Sequence, residues 1–327
     1  MLLTVILPVF NAETVLNKSI ESLLRSKNKF NVELILINDG STDNSLRICL
    51  DYQNKYDFIK VIDIVNSGPS LARNAGLKMA NGDFICFVDS DDYVEDNYVE
   101  IIFKHLNLNA DILIFGFNKI HGQQVIQNKF KSRRINHNEI LDLISHSASN
   151  MNLLWYPWTK VYKATSIQGL RFNKNINIGE DTIFNIEAFV MAELIVIIDH
   201  CLYNYVSNEN SLTQAKYKSN LLPNMEQHFK SRLLIHNRYR ALSGVNYFND
   251  IAKYYVNHIL FWLLSNSTNN PSDGSIISDL KNIRNSDIFS FSFKYYKFTG
   301  ITVKQKFIIL LFKFRFFYLL STIYKNA

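Results

Sequence analysis

A chain of 327 residues and 38.0 kDa, with 47% apolar and 20% charged residues, buries a sizeable core; this excludes an extensively disordered protein and makes two packed units the expectation. Its three cysteines, Cys49, Cys86 and Cys201, lie far apart without a CxxC pair, which excludes a thiolate zinc site and a disulfide scaffold and fits the reducing cytosol. The net charge of +6 is uneven: residues 1–215 carry 19 Lys and Arg against 24 Asp and Glu, and residues 216–327 carry 16 against 5, so the C-terminal third suits an acidic partner, nucleic acid or anionic lipid.

The opening stretch MLLTVILPVFN has no basic leader and no small-residue cleavage site, and it breaks at Pro8 and Asn11, so it reads as a first strand and not as a signal peptide. No run reaches the roughly 18 uninterrupted apolar residues that a membrane span needs. Short apolar runs predict strands at 3–7, 33–37, 59–64 and 83–88, and amphipathic stretches between them predict helices at 15–25, 44–56 and 69–80. This βαβαβαβ order implies a mostly parallel sheet covered by helices, with ligands outside the C-terminal strand ends. A helix at 97–106 and a strand at 111–117 extend it. Residues 118–215 are less regular, with a basic stretch at 129–134, a helix at 139–146 and the aromatic segment LWYPWTKVYK, which suits an acceptor-facing subdomain. Beyond 216 the chain reads as helical, with a loop at 265–275 where Asn, Ser, Pro and Gly cluster.

Each predicted strand end carries polar residues. In FVDSDD, residues 87–92, the Asp89 and Asp91 carboxylates can hold Mg²⁺ or Mn²⁺, and the cation can in turn bind diphosphate oxygens; adjacent acids after a strand also serve as helix caps. In NDGSTD, residues 38–43, Asp39 can accept from a base N–H while Gly40 permits a tight turn, and Ser41 or Thr42 can cap the next helix. In NSGPSLARNAG, residues 66–76, the planar guanidinium of Arg73 can bind phosphate or hold Asp89 in position; a lone helical Arg is otherwise a surface residue. In IGEDTIFN, residues 178–185, two acids stand at a helix start, a place the helix dipole also favours.

PVFNAE, NDGSTD, GPSLARNAG and FVDSDD, in this order and spacing, resemble the donor-binding half of the family 2 glycosyltransferases. The resemblance is strong over residues 1 to about 100 and looser to about 215. It implies an α/β fold of the GT-A kind, a Rossmann-like, mostly parallel sheet flanked by helices, with a C-terminal helical extension. Residues 1–100 are then the nucleotide-sugar half, 101–215 the acceptor half and 216–327 a helical region. The resemblance further implies that Pro8, Phe10, Glu13, Asp39, Asn66 and Arg73 line the nucleotide pocket. It places Asp89, Ser90 and Asp91 at ribose, diphosphate and metal, with Asp91 the direct ligand of Mn²⁺ or Mg²⁺, and it makes the donor a UDP-sugar. On the same analogy Asp181 is the general base for the acceptor hydroxyl, Glu180 contacts the acceptor or orients the base, and displacement is inverting. YNYVSNENSLTQ, residues 203–214, is similar to the strand and loop that close on the diphosphate.

Trp155, Tyr156 and Trp158 can form a sugar-stacking platform or fill a core. His200 and His228 read as structural. The stretch 301–325 joins aromatic and aliphatic residues to Lys304, Lys306, Lys313, Arg315 and Lys325, and suits a helix lying in the interface of an anionic membrane or a core helix of a small bundle. The expectation is therefore a cytoplasmic transferase, peripheral on the inner face of the membrane, acting on a glycan or polyprenyl-linked acceptor of a bacterial surface polysaccharide, with no nucleic-acid partner. A non-catalytic nucleotide-sugar-binding or scaffold protein is the alternative. A dinucleotide oxidoreductase is disfavoured, because PVFNAE stands where GxGxxG would follow the first strand.

Overall fold

A computed structural model describes residues 1–27, 30–106, 108–145, 151–207, 217–243, 246–271 and 276–325. By contacts the chain divides into two compact units, residues 1–144 with 152–208, and residues 145–151 with 209–327.

The first unit opens with the alternation that the sequence predicts: β1 (Leu3–Val9), α1 (Leu16–Lys27), β2 (Val32–Asp39), α2 (Ser45–Lys55), β3 (Ile59–Ile64), α3 (Pro69–Met79) and β4 (Phe84–Phe87). Continuous apolar runs such as Leu34–Leu36 suit strands buried on both faces, and every residue of β2 is buried. The first of its two acids, Glu33, is matched by Lys60, Thr4 and Asn81; burial opposes its ionisation, but these partners hold its pKa down at about 2. The order β3-β2-β1-β4 is parallel throughout. Helix α3 lies directly on this sheet because Gly76 has no side chain: a Cβ there would stand 2.4 Å from Ile6 Cγ2.

The chain continues through β5 (Tyr93–Val94), α4 (Tyr98–Leu106), β6 (Ile112–His121), β7 (Gln124–Asn128), β8 (Arg133–Asn136), α5 (His137–Ser145), α6 (Met151–Leu154), β9 (Lys160–Lys163), α7 (Glu180–Met191) and β10 (Leu194–Val206). Strand β9 runs antiparallel between β4 and β6, and β10 lies parallel to β6, giving the order β3-β2-β1-β4-β9-β6-β10-β5. The segment LWYPWTKVYK, expected as an acceptor-facing patch, thus supplies a central strand of the sheet.

The second unit holds α8 (Leu221–Ser243), α9 (Phe248–Tyr254), a π-helical turn at Tyr255–Ile259, α10 (Leu260–Thr268), α11 (Ile276–Asn285), α12 (Asp287–Tyr295), α13 (Val303–Lys313) and α14 (Phe317–Lys325). His228 is buried here, its Nδ1 2.6 Å from the Tyr255 hydroxyl, whereas His200 of the first unit is exposed. The stretch 301–325 is two helices where one was expected, broken at 314–316 around Arg315 with φ 66°. Ile308, Ile309, Leu311, Phe312, Phe317 and Leu320 are buried, while Phe307, Phe314, Phe316, Tyr318 and Leu319 are exposed. One apolar face therefore serves the unit's own core, because α13 and α14 are too apolar to leave both faces in water. Among the described residues no helix is long and apolar enough to cross a membrane. All three cysteines are free thiols.

Candidate active site

The loops after β1 and β2 are tied to each other before any ligand is considered. Asn11, at φ 47°, accepts from Thr42 N at 2.8 Å through its side chain, and its own N–H donates to Ser41 Oγ at 3.1 Å. Glu13 Oε2 accepts from the backbone N and Nδ2 of Asn44 at 3.0 and 2.9 Å, at the start of α2 where helix amides lack partners. Asp39 is 4% exposed, and its two oxygens accept from Ser67 N at 2.7 Å and Gly68 N at 2.9 Å, which fixes the loop leading into α3. Each oxygen keeps a further lone pair for an incoming N–H. Gly40 completes the turn at φ 66°, where a Cβ would lie 2.6 Å from Asn66 N.

Arg73 joins the two acid motifs. It is 5% exposed on α3; Nη2 donates to Asp89 Oδ1 at 3.0 Å, and Nη1 reaches Asp181 Oδ1 at 3.2 Å and Glu180 Oε1 at 3.4 Å. One guanidinium therefore spans the end of β4 and the start of α7, although Asp181 lies 108 residues from Arg73 in sequence. Its face lies 5.4 Å from the Phe172 ring centre, and Nε has no protein partner. Burial and the adjacent Asp181 push Glu180 up to about 7, with Arg73 pulling the other way. Asp181 is also raised, first by burial and then by Asp89, against the opposing pull of Arg73 and Lys160. A carboxylate held above its ordinary range is a better proton acceptor near neutral pH.

Residues that the sequence reading did not single out hold this cluster in place. Asn74, next to Arg73, clasps the backbone of Phe172 with two bonds of 2.8 Å, N–H to Oδ1 and Nδ2 to C=O. Phe172 stacks on Phe184 at 4.1 Å, and Phe87 and Tyr162 meet Phe184 edge-on, which seats α7 beneath Asp181. Tyr203 on β10 accepts from Asp89 N at 3.1 Å and donates to Asp92 Oδ2 at 2.7 Å, so the hydroxyl orients the acidic loop from below. Asp92 is 2% exposed, and burial together with Asp89 and Asp91 pushes it up to about 8. These roles depend on contacts across 98 to 114 residues of chain, which no local pattern reports.

Of the predicted site residues, the structure brings Arg73, Asp89, Glu180 and Asp181 into one cluster, and it places Asp39 and Glu13 in the neighbouring loop network. Pro8, Phe10, Asn66 and Ser90 stand at or just beyond the strand ends, outside the ion cluster; Phe10 is 48% exposed. Asp91 is exposed beside half-buried Asp89. Among the described residues no three His, Cys, Asp or Glu side chains converge as a metal cage. Two hard carboxylates at a strand end still fit a small divalent cation that keeps its remaining ligands from phosphate and water. Trp158, 3% exposed, is a core residue stacked on Tyr203 at 4.4 Å, whereas Trp155 and Tyr156 are half-buried. Most of the expected closing loop, 208–214, lies outside the described residues.

The sheet order and the two acid motifs joined by one arginine define a GT-A glycosyltransferase. The chain belongs to glycosyl transferase family 2, whose sequence model matches residues 4–189. It is 32% identical over 281 residues to the uncharacterized glycosyltransferase EpsJ of Bacillus subtilis, covering 83% of this chain and 80% of that protein. It is 32% identical over 220 residues to the glycosyltransferase GlyA of Streptococcus pneumoniae, 65% of this chain but only 31% of GlyA. The crystal structure of Staphylococcus aureus TarS 1-349 in complex with UDP-GlcNAc superposes with a TM-score of 0.71 at 21% identity, over 100% of this chain and 91% of that one.

Proposed function

We propose that this glycosyltransferase moves a hexosyl or N-acetylhexosaminyl unit from a UDP-sugar to a hydroxyl of a glycan or lipid-linked acceptor in bacterial surface-polysaccharide synthesis, with inversion at the anomeric carbon. The observation that carries the reading is the Arg73 bridge, which sets a diphosphate-facing acid, Asp89, within one guanidinium's reach of a candidate base, Asp181. The UDP and UDP-GlcNAc bound by the TarS structures support the donor class, and the relatives named as poly(ribitol-phosphate) transferases support a cell-surface polymer as acceptor.

Asp39 and the loops after β1 and β2 receive the nucleotide, with Pro8, Phe10, Glu13 and Asn66 around it. Asp91, with Asp89, would hold Mg²⁺ or Mn²⁺, which supplies compensation for charge on the leaving diphosphate. Asp181 takes the proton of the acceptor hydroxyl as its oxygen bonds to the anomeric carbon, while the carbon–oxygen bond to UDP breaks and its electron pair leaves with UDP. Arg73 and Glu180 keep that base aligned. The exposed face of α13 and α14, with five cations and no acid across 301–325, rests on an anionic membrane surface where a polyprenyl-linked acceptor resides.

UDP release from UDP-GlcNAc, UDP-Glc and UDP-Gal, with and without Mn²⁺, tests the reading. Asp91→Ala abolishes metal-dependent release, and Asp181→Asn keeps UDP binding while transfer falls by about 10²–10⁴. No release from any of the three donors, or full turnover in Asp181→Asn, overturns it.

A further inference from the structure

Lys160 opens β9 with a relative exposure of 0%, and no carboxylate lies in salt-bridge contact with it among the described residues. Its ammonium is spent on a turn instead: Nζ donates to the carbonyls of Trp155 at 2.6 Å and Tyr156 at 2.8 Å and to Thr159 Oγ1 at 3.2 Å. Three acceptors match the three donor hydrogens of a charged lysine. Asn185 grips the same turn from the other side, its Nδ2 donating to Leu154 O at 2.8 Å and Trp155 O at 2.9 Å while its Oδ1 accepts from the Tyr162 hydroxyl. Asn185 sits one helical turn after Asp181 on α7, so the turn and the candidate base share a mount.

The held backbone is strained. Tyr156 has φ 44° and ψ 99°, a region that a bulky side chain occupies only when its surroundings enforce it, and such strain concentrates at ligand-contacting positions. A salt bridge or solvent would stabilise a lysine better than three neutral oxygens in the interior; burial pushes this ammonium down to about 7 against the pull of Asp181. The arrangement is therefore costly, and what it secures is the orientation of Trp155 and Tyr156. Both are half-buried, their rings 5.8 Å apart and nearly edge-on, next to the Tyr156–Trp158 stack at 4.5 Å. Aromatic faces of this kind pack against the C–H surface of a sugar ring.

We propose that Lys160 is a positioning residue for the acceptor, its ammonium holding the strained 155–156 turn so that Trp155 and Tyr156 form the wall against which the acceptor sugar lies beside Asp181. The inference rests on the glycosyl-acceptor reading above. It predicts a split between the two substrates. In Lys160→Met the acceptor KM rises at least tenfold, while the Kd for UDP stays within threefold of the native value. Lys160→Arg, which keeps a cation and donor hydrogens, recovers a third or more of the transfer. The acceptor probe is the p-nitrophenyl monoglycoside that the native enzyme uses fastest, and calorimetry gives the UDP affinity. Loss of UDP affinity in parallel with transfer in both variants, or an unchanged acceptor KM in Lys160→Met, overturns the positioning role. Failure of the native chain to release UDP from any sugar nucleotide instead sinks the parent reading, so the two failures are distinct.

Discussion

Replacing Arg73 by Met should unmake the site in a pH-dependent way. The substitution keeps most of the side chain's volume but leaves Asp89, Glu180 and Asp181 facing one another across the space of a guanidinium that now touches them at 3.0, 3.4 and 3.2 Å. Breaking a buried ion network by removing one partner costs about 3–5 kcal/mol. Losing the cation raises the proton affinity of both Glu180 and Asp181, so their charged forms bear this cost. The sign follows from the direction of the shifts. Both acids already have folded-state pKa values above their unfolded ones, Glu180 rising from 4.5 to about 7, and losing the cation raises them further. The folded variant then holds more protons than the folded native protein, so the added penalty is full above the variant's raised pKa values and fades as pH falls below the native Glu180 value of about 7. Urea unfolding at pH 8 and pH 5, followed by Trp155 and Trp158 fluorescence in a Trp262→Phe background, measures it. A loss of equal size at both pH values, or one below ~1 kcal/mol at pH 8, refutes the reasoning.

Tyr203→Phe removes the hydroxyl between Asp89 N and Asp92 and should cost about 1–3 kcal/mol in denaturant unfolding, with weaker UDP binding in the presence of Mn²⁺ by calorimetry. Glu180→Gln should stabilise the fold by about 1–3 kcal/mol at pH 8, where the buried charge is present, and leave it unchanged below pH 4.5, where it is absent from both states; equal melting shifts at the two pH values contradict this. Gly40→Ala forces a Cβ to within 2.6 Å of Asn66 N at φ 66°, and should lower stability by about 1–3 kcal/mol in a thermal melt, with looser nucleotide binding.

The donor half of the fold was legible because its strands are short uninterrupted apolar runs and its helices are bounded by turn residues, so period and punctuation agree. Predicted strand 59–64 and helix 69–80 match β3 and α3 to within a residue. Strand β9 was not legible: a four-residue strand preceded by Pro157 and two tryptophans carries no alternation, and its place between β4 and β6 is decided by partners far along the chain. The break between α13 and α14 has no Gly or Pro to announce it; Arg315 adopts a left-handed conformation there. In the site, Asp89, Arg73 and Asp181 were readable because motif and chemistry coincide. Lys160, Asn74 and Tyr203 were not, because a buried lysine, an asparagine clasp and a bridging phenol look like ordinary residues until the fold brings their acceptors to them.

The late arrival of β9 has a consequence for how the protein is made. Synthesis delivers β4 and β6 well before the strand that pairs with both, so a nascent chain shorter than about 160 residues presents two open ladder edges with nothing between them, a template for pairing with other molecules. Fragments cut between these strands should accordingly stick together in the test tube, and co-expressing the two pieces is the route by which a split form of the enzyme would regain solubility.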